Sequence, residues 1–284
     1  MNQSPDKGDF GTLESAQRLD QFCSEQLALL DLMRDTFLSK DDSVWDVVTP
    51  LTFAAVDSGK SFLLLARAGK HRDAYILART VYETLVNVCF ICASGDVVAQ
   101  RARTHALQKA FRDLNRQVDV DDQSLSITCT VQPTLAVRPE LQSALAEFTG
   151  RKGREISSWT PETVHERVEV VHKVYGTAIS TSLQFGLASI YRHASEMLHG
   201  TLFGARFALG CSGPSAPPKD PAALERFVRE HICMLLLMVG LSVDATIRVL
   251  GDELELCDFV QNSKKRVDGL KTLSWFQLRD GKTS

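Results

Sequence analysis

Residues 191–200 carry the clearest potential for chemistry in this sequence. Arg192 and His199 are seven positions apart, which in an α-helix returns them to within about 20° of the same face. Ser195 and Glu196 lie between them on that face. A histidine can accept a proton near neutral pH, and an arginine can bind a phosphate and stabilise the charge that develops on it. The spacing therefore predicts a polar stripe suited to phosphodiester chemistry.

A purely structural interpretation fits the same residues. Arg192 and Glu196 are four positions apart, the spacing of a surface ion pair on a helix. His199 precedes Gly200, which is typical of a helix end, and a cationic side chain there interacts favourably with the helix dipole. Pattern alone does not separate this interpretation from a catalytic one.

The segment resembles the signature of the HEPN superfamily (higher eukaryotes and prokaryotes nucleotide-binding), which consists of α-helical bundles marked by an arginine followed a few residues later by a histidine. Arg192, six intervening residues and His199 fit that pattern, and His193 supplies the polar residue that often follows the arginine. The chain is also similar, over roughly residues 44–205, to an uncharacterised bacterial family near that group. That similarity rests on residues 78–83 and on a Tyr-x-x-x-Ser-x-x-x-His-Gly pattern formed by Tyr191, Ser195, His199 and Gly200.

The resemblance implies a metal-independent endoribonuclease, or an inactive RNA-binding relative, that works without a cofactor. Arg192 and His199 would be catalytic, with Ser195 and Glu196 beside them, and His193 would contact RNA. The resemblance also implies a homodimer that brings two Arg–His pairs together. A defence or toxin-like role follows as an expectation, with a protein antitoxin or regulator as a further partner.

Glu83 is an acidic residue in the most apolar predicted helix, four positions after Arg79. A buried carboxylate is costly unless it is paired. We therefore considered two roles for it: a catalytic contribution, in which it orients Arg192 or His199 across the bundle, and a structural ion pair with Arg79.

A row of basic side chains predicts a second RNA contact. Its members are spaced by three or four positions and therefore share one face of a predicted helix. Cations at helical pitch can follow a phosphate backbone, although the alternative is a solvated surface. The row consists of Arg101, His105, Lys109, Arg112 and Arg116.

Two other classes of function remain open. Glu-x-x-His, a motif of di-metal helical bundles, occurs at Glu162/His165, Glu169/His172 and Glu196/His199. Glu83 is available as a single carboxylate, but a second one is missing, so the ligand set is incomplete and we expect no metal ion. The principal alternative to a ribonuclease is a helical module that binds a protein partner and catalyses nothing.

Hydrophobic periodicity predicts an all-α, HEPN-like up-and-down bundle. We expect a single domain over residues 1–258, with an irregular insert at about 119–160 and a polar C-terminal tail at 259–284. The predicted long helices cover residues 13–37, 44–68, 72–93, 97–118, 177–198 and 222–250.

Composition favours a cytoplasmic protein that does not enter a membrane. The net charge of −3 excludes a histone-like polycation. The sequence has seven cysteines, mostly in apolar contexts, and this pattern indicates reduced thiols. No signal peptide precedes the first helix, and the apolar run at 232–243 is too short to span a bilayer.

Overall fold

The computed structural model describes residues 10–37, 42–120, 123–128, 138–211, 217–218 and 220–271. Nearly all of the regular structure in these ranges is helical, so the prediction of an all-α bundle is confirmed. The helices are α1 (Leu13–Phe37), α2 (Trp45–Arg67), α3 (His71–Ser94), α4 (Asp96–Leu114), α5 (Pro139–Glu147), α6 (Val164–Tyr175), α7 (Thr177–Gly186), α8 (Arg192–Leu198), α9 (Leu202–Ala208), α10 (Pro221–Glu253) and α11 (Cys257–Leu270).

Helix α3 lies at the centre of the bundle, as its apolar residues on several sides predict. It packs against α2 on one side and α10 on another, and it also contacts α6 and α8. Tyr75 and Tyr82 are fully buried in it, and the Tyr82 hydroxyl donates a 2.9 Å hydrogen bond to the Leu183 carbonyl of α7. The segment that carries the candidate site is therefore attached to the central helix.

Helix α10 begins where Asp220 caps it, since the Asp220 side chain accepts a hydrogen bond from the Ala222 amide and Pro221 occupies the first helical position. It packs against α1, α3 and α7. In the described part of the chain, α3 and α10 are long and apolar enough to cross a membrane, with 50% and 83% of their most apolar windows buried. Buried core helices share these properties, so this is weak evidence for a membrane span.

The predicted insert contains regular structure, including an antiparallel hairpin. Strands β1 (Asn115–Val120) and β2 (Gln123–Thr128) form an antiparallel hairpin in which Asn115 pairs with Thr128 and Val120 with Gln123. Helix α4 therefore ends at Leu114, and the prediction that it continues to residue 118 is wrong. Between α5 and α6, a single β-bridge joins Thr149 to Glu155.

A polar tail from residue 259 is also a wrong prediction for the part described. Residues 257–270 form α11, which packs against α10 and α1. Ser263 is fully buried between them: its hydroxyl lies 2.6 Å from Asp244 Oδ1 and 3.0 Å from Gln26 Oε1. Burial raises the pKa of Asp244, while Ser263 and Arg248 counteract that rise. Residues 272–284 lie outside the described residues.

We expect Ser263→Ala to destabilise the protein by about 1–3 kcal/mol, because it removes a hydrogen-bond partner from two buried polar groups. Urea unfolding monitored by circular dichroism measures the change. The matched control is Asn262→Ala, an exposed neighbour on α11, which should stay within about 0.5 kcal/mol of wild type. Equal stability of the two variants would contradict a packed α11.

Candidate functional site

The candidate stripe lies on a helix interrupted by a π turn. Helix α7 runs into a π turn at Leu187–Tyr191, and regular α-helix resumes at Arg192. The helix ends at His199, and Gly200 then adopts a φ of 63°, which a residue without a side chain tolerates best. Thr201 caps the following helix by accepting a hydrogen bond from the Gly204 amide. The turn between α8 and α9 is thus short and fixed at both ends.

The predicted stripe residues share one side of α8. Arg192, Glu196 and His199 are exposed and Ser195 is partly buried, whereas Ala194 and Met197 on the opposite side are fully buried. At 1.5 Å rise per residue, Arg192 and His199 lie about 10 Å apart along the helix axis. One helix therefore offers an arginine and a histidine on one face, separated by about two turns.

Arg192 and His199 keep their polar atoms available. Within the described residues, neither side chain forms a hydrogen bond or an ion pair, so the predicted Arg192–Glu196 surface pair is absent. Glu196 instead accepts a 2.9 Å hydrogen bond from the Thr201 hydroxyl. Its carboxylate therefore stabilises the turn into α9.

Arg72 is a neighbour of the stripe that sequence reasoning missed. Its guanidinium donates a 3.2 Å hydrogen bond to the carbonyl of Met197, in the last turn of α8, and its side chain is 44% exposed. A second cation thus lies near the end of the helix where His199 is located. No motif links two residues 125 positions apart, so only the fold reveals this pairing.

The predicted role of Glu83 in orienting Arg192 or His199 is wrong. The carboxylate lies 3.8 Å from Arg79 and 3.7 Å from Arg167, and both guanidiniums are largely buried. Arg79 also stacks over the ring of Tyr191 at 4.4 Å. Glu83 therefore affects the site only indirectly. It pairs with Arg79, and the guanidinium of Arg79 lies over the ring of Tyr191 in the π turn.

His193 is half-buried and packs against aromatic side chains. Its ring stacks against Phe207 at 5.4 Å and Phe203 at 6.5 Å, and it lies 6.2 Å from Tyr75 edge-on. The ring of His193 therefore has a packing role, and its contact with RNA stays a prediction. The residue behind the arginine helps to hold α9 against α3.

His193 belongs to an aromatic cluster in which two more histidines surround Phe207. The rings of His71 and His231 lie 6.4 and 4.8 Å from that phenylalanine. Burial lowers the pKa of His71, His193 and His231, because the charged imidazolium is poorly solvated there. The cluster joins α3, α8, α9 and α10, so its protonation would act on the elements that carry the site.

The basic row on α4 is occupied by contacts within the chain. Arg101 donates to the Trp159 carbonyl at 3.1 Å and lies 3.8 Å from Glu147. Lys109 pairs with Glu155 at 3.0 Å and with Asp113 at 3.4 Å. Hydrogen bonding to Glu155 raises the pKa of Lys109, which keeps it charged for this contact.

Arg112 and His105 of the row also make contacts within the chain. Arg112 donates to Gln108 and Thr149, at 2.7 and 2.6 Å. The His105 ring packs edge-on against Phe148 at 5.0 Å, and burial lowers its pKa. Arg116 is on β1 and not on α4 at all. The predicted RNA-binding row is therefore wrong as a surface of free cations on α4, since Arg101, His105, Lys109 and Arg112 attach residues 147–159 to that helix.

The Glu-x-x-His motifs do not converge on a common point. His165 pairs with Glu169 at 3.3 Å, while His172 lies 2.9 Å from the Ser180 hydroxyl. Glu162 accepts a hydrogen bond from Thr160. Across the described ranges, no group of three or more histidine, cysteine or acidic side chains could hold a metal ion. The di-metal alternative gains no support from their arrangement.

The aromatic cluster predicts that the protein loses stability in mild acid. Its histidines have lowered pKa values when folded, so below about pH 6.5 the unfolded chain binds more protons than the folded one. The free energy of unfolding should therefore fall as the pH drops below that value, and His231→Phe should reduce the loss. Urea unfolding at about pH 7.5 and 5.5 measures it.

His165→Ala provides the control for that experiment, because His165 is exposed and outside the cluster. This variant should retain the acid sensitivity of wild type. If His231→Phe and wild type lose the same stability between the two pH values, the cluster is not the source of the effect.

Comparison with known proteins gives one match. No curated protein and no solved structure matches the chain. The model of a family of unknown function, DUF5677, matches residues 46–215. The matched range starts within α2, ends beyond α9, and contains the whole Arg192–His199 face together with Glu83 and the α4 row. Because it covers more than half of the sequence, the chain belongs to the DUF5677 family of unknown function.

Proposed function

We propose that this protein cleaves RNA without a metal ion at a site composed of Arg192 and His199 from two copies of the chain. The observation that carries the proposal is the exposure of both side chains, free of intramolecular polar partners in the described residues, on one face of α8. Unpaired polar groups on a short, well-anchored helix are available to a ligand, whereas the cations of α4 are already engaged.

An apolar surface beside this face supports pairing of two copies. Large exposed apolar side chains follow the stripe at the end of α8 and along α9. Their exposed fractions are 53% for Leu198, 76% for Leu202, 41% for Phe203 and 56% for Leu209. A group of exposed apolar side chains next to polar groups is characteristic of an interaction surface. A two-fold contact through the same patch on each copy would be self-complementary.

Pairing also addresses the distance between the two residues. Arg192 and His199 of one helix are about 10 Å apart along its axis, which is long for contact with a single phosphate. An antiparallel arrangement of two α8 helices places Arg192 of one copy beside the partner's His199. Each phosphate would then receive a guanidinium and an imidazole from different copies.

The chemistry requires only these groups. Neutral His199 removes the proton of an RNA 2′-hydroxyl, and the 2′-oxygen attacks the adjacent phosphorus. Arg192 stabilises the added negative charge on the phosphoryl oxygens. The bond from phosphorus to the 5′-oxygen breaks, and the imidazolium formed at His199 returns its proton to that oxygen. The products are a 2′,3′-cyclic phosphate and a 5′-hydroxyl.

We expect His199→Ala to abolish cleavage of labelled single-stranded RNA with little loss of stability, because the side chain is exposed at a helix end. Arg192→Ala should reduce the rate about 10²- to 10³-fold, the usual effect of removing one group that stabilises transition-state charge. Cleavage should persist in EDTA. Gel analysis of the products, including detection of the cyclic phosphate, is the measurement.

Matched controls are His165→Ala and Arg151→Ala, exposed residues of the same types outside α8. Both should cleave at the wild-type rate. Wild-type protein that leaves RNA intact, or a His199→Ala variant as active as His165→Ala, would refute the catalytic proposal. RNA binding without cleavage would instead identify an inactive RNA-binding relative.

The dimer is tested separately. Leu202→Asp places a charge in the centre of the proposed interface, so the variant should be monomeric by light scattering and should lose cleavage. Leu32→Asp is the control, because Leu32 is 65% exposed on α1 and outside the patch. A wild-type protein that is monomeric at a concentration of about tens of micromolar would contradict the composite site.

The same apolar surface favours a second candidate function. If Leu202→Asp leaves the oligomeric state unchanged and no RNA is bound, the patch formed by Leu198, Leu202, Phe203 and Leu209 fits a module that docks another protein. An antitoxin or regulator would be a partner of this kind.

A further inference from the structure

An open cleft of about 810 Å³ lies away from the α8–α9 surface, where the junction of α6 and α7 faces the α10–α11 hairpin. Its size is within the range of small-molecule sites. The apolar side is formed by Val174, Tyr175, Ile179 and Val260. The Tyr175 hydroxyl donates a 2.5 Å hydrogen bond to Glu253, which fixes the ring as a wall of the cleft.

The charged side chains around this cleft are segregated. Helices α10 and α11 run antiparallel, since Asp244 contacts Ser263 and Gly251 approaches Val260. Arg248 and Lys264 are therefore at the end remote from the interhelical turn. Asp252 and Glu255 lie at the turn, with Gln261 between the two ends.

Most of these charges are available to a ligand. Lys264, Asp252 and Glu255 are exposed, and they form no hydrogen bond or ion pair through their side chains in the described part of the chain. Arg248 lies 3.7 Å from Asp244, a distance that leaves other donors of its guanidinium free. The cleft thus has a cationic end and an anionic end joined by an apolar wall.

The backbone at Glu255 gives an independent indication. Its φ of 57° makes it the one non-glycine residue with positive φ among those the structure describes. It follows α10 at the position where the Leu256 amide bonds back to the Gly251 carbonyl at 2.8 Å, a helix ending that normally uses glycine. A carboxylate held in an unfavourable conformation at the rim of a cleft is typical of a functional position.

We infer that this cleft binds a small zwitterion of tripeptide size, with an acidic group at Arg248 and Lys264 and an amine at Asp252 and Glu255. Seven residues separate Arg248, in the last turns of α10, from Glu255, just past the end of that helix at Glu253, which at helical rise corresponds to about 10 Å. An extended tripeptide spans about the same length, and its middle side chain would meet Val174, Ile179 and Val260. The inference does not depend on RNA cleavage, because no residue of the cleft belongs to the α8 face.

The probe is the tripeptide Ala-Leu-Ala, titrated by NMR against the full-length protein. Binding should be saturable, and acetylation of its amine or amidation of its carboxylate should each weaken it about three- to tenfold. In Lys264→Ala the preference for the free acid over the amide should shrink, and in Glu255→Gln the preference for the free amine over the acetylated one should shrink, because each variant lacks one of the two partners of the modified group.

Lys265→Ala and Asp258→Asn are matched controls, since both residues are exposed on α11 and do not line the cleft. They should discriminate between the modified peptides as wild type does. Absence of saturable binding, or equal effects of Lys264→Ala and Lys265→Ala, would overturn the inference. Glu255→Gly should weaken the preference for a free amine while raising the melting temperature, and a lower melting temperature would contradict the assignment of strain to Glu255.

Discussion

The burial of α3 on several sides is the constraint on which the rest of the structure depends. A helix that is apolar on several sides is stable only when other helices cover it. Helices α2, α6, α8 and α10 pack against α3 in this way. A charged carboxylate of α3 must then find partners inside the bundle. Glu83 does so between Arg79 and Arg167, and these contacts in turn support Tyr191 and the start of α8. The candidate site is thus positioned by contacts with the central helix α3.

Much of the helical architecture could be predicted from periodicity. The 3.6-residue pattern identifies α1, α2, α3 and α10 to within a few residues, because each buries a continuous apolar stripe or surface. The end of α4 could not be found in this way, since β1 continues with polar residues that suit either a helix or a hairpin. Helix α11 was misjudged for a related reason: its charged sequence suggests a solvated tail, and only the partners of Ser263 show that it is packed.

The two basic features illustrate what a linear pattern cannot establish. Spacing shows that side chains share a helix face, but it does not show what lies opposite. Lys109 faces Glu155, 46 residues away, and Arg112 faces Thr149. Arg192 and His199 have the same kind of spacing, yet the described structure places no acid or carbonyl against them. The distinction between a structural cation and an available one is therefore a property of tertiary contacts.

The π turn at Leu187–Tyr191 has a consequence for how such a site could arise. It accommodates one more residue than an α-helical turn, so everything after it is rotated by about 100° relative to an uninterrupted helix. Without that residue, the phase of α8 would direct Ala194 and Met197 elsewhere and bring polar side chains towards α3. A single inserted residue is thus enough to turn the face that carries Arg192 and His199 away from α3.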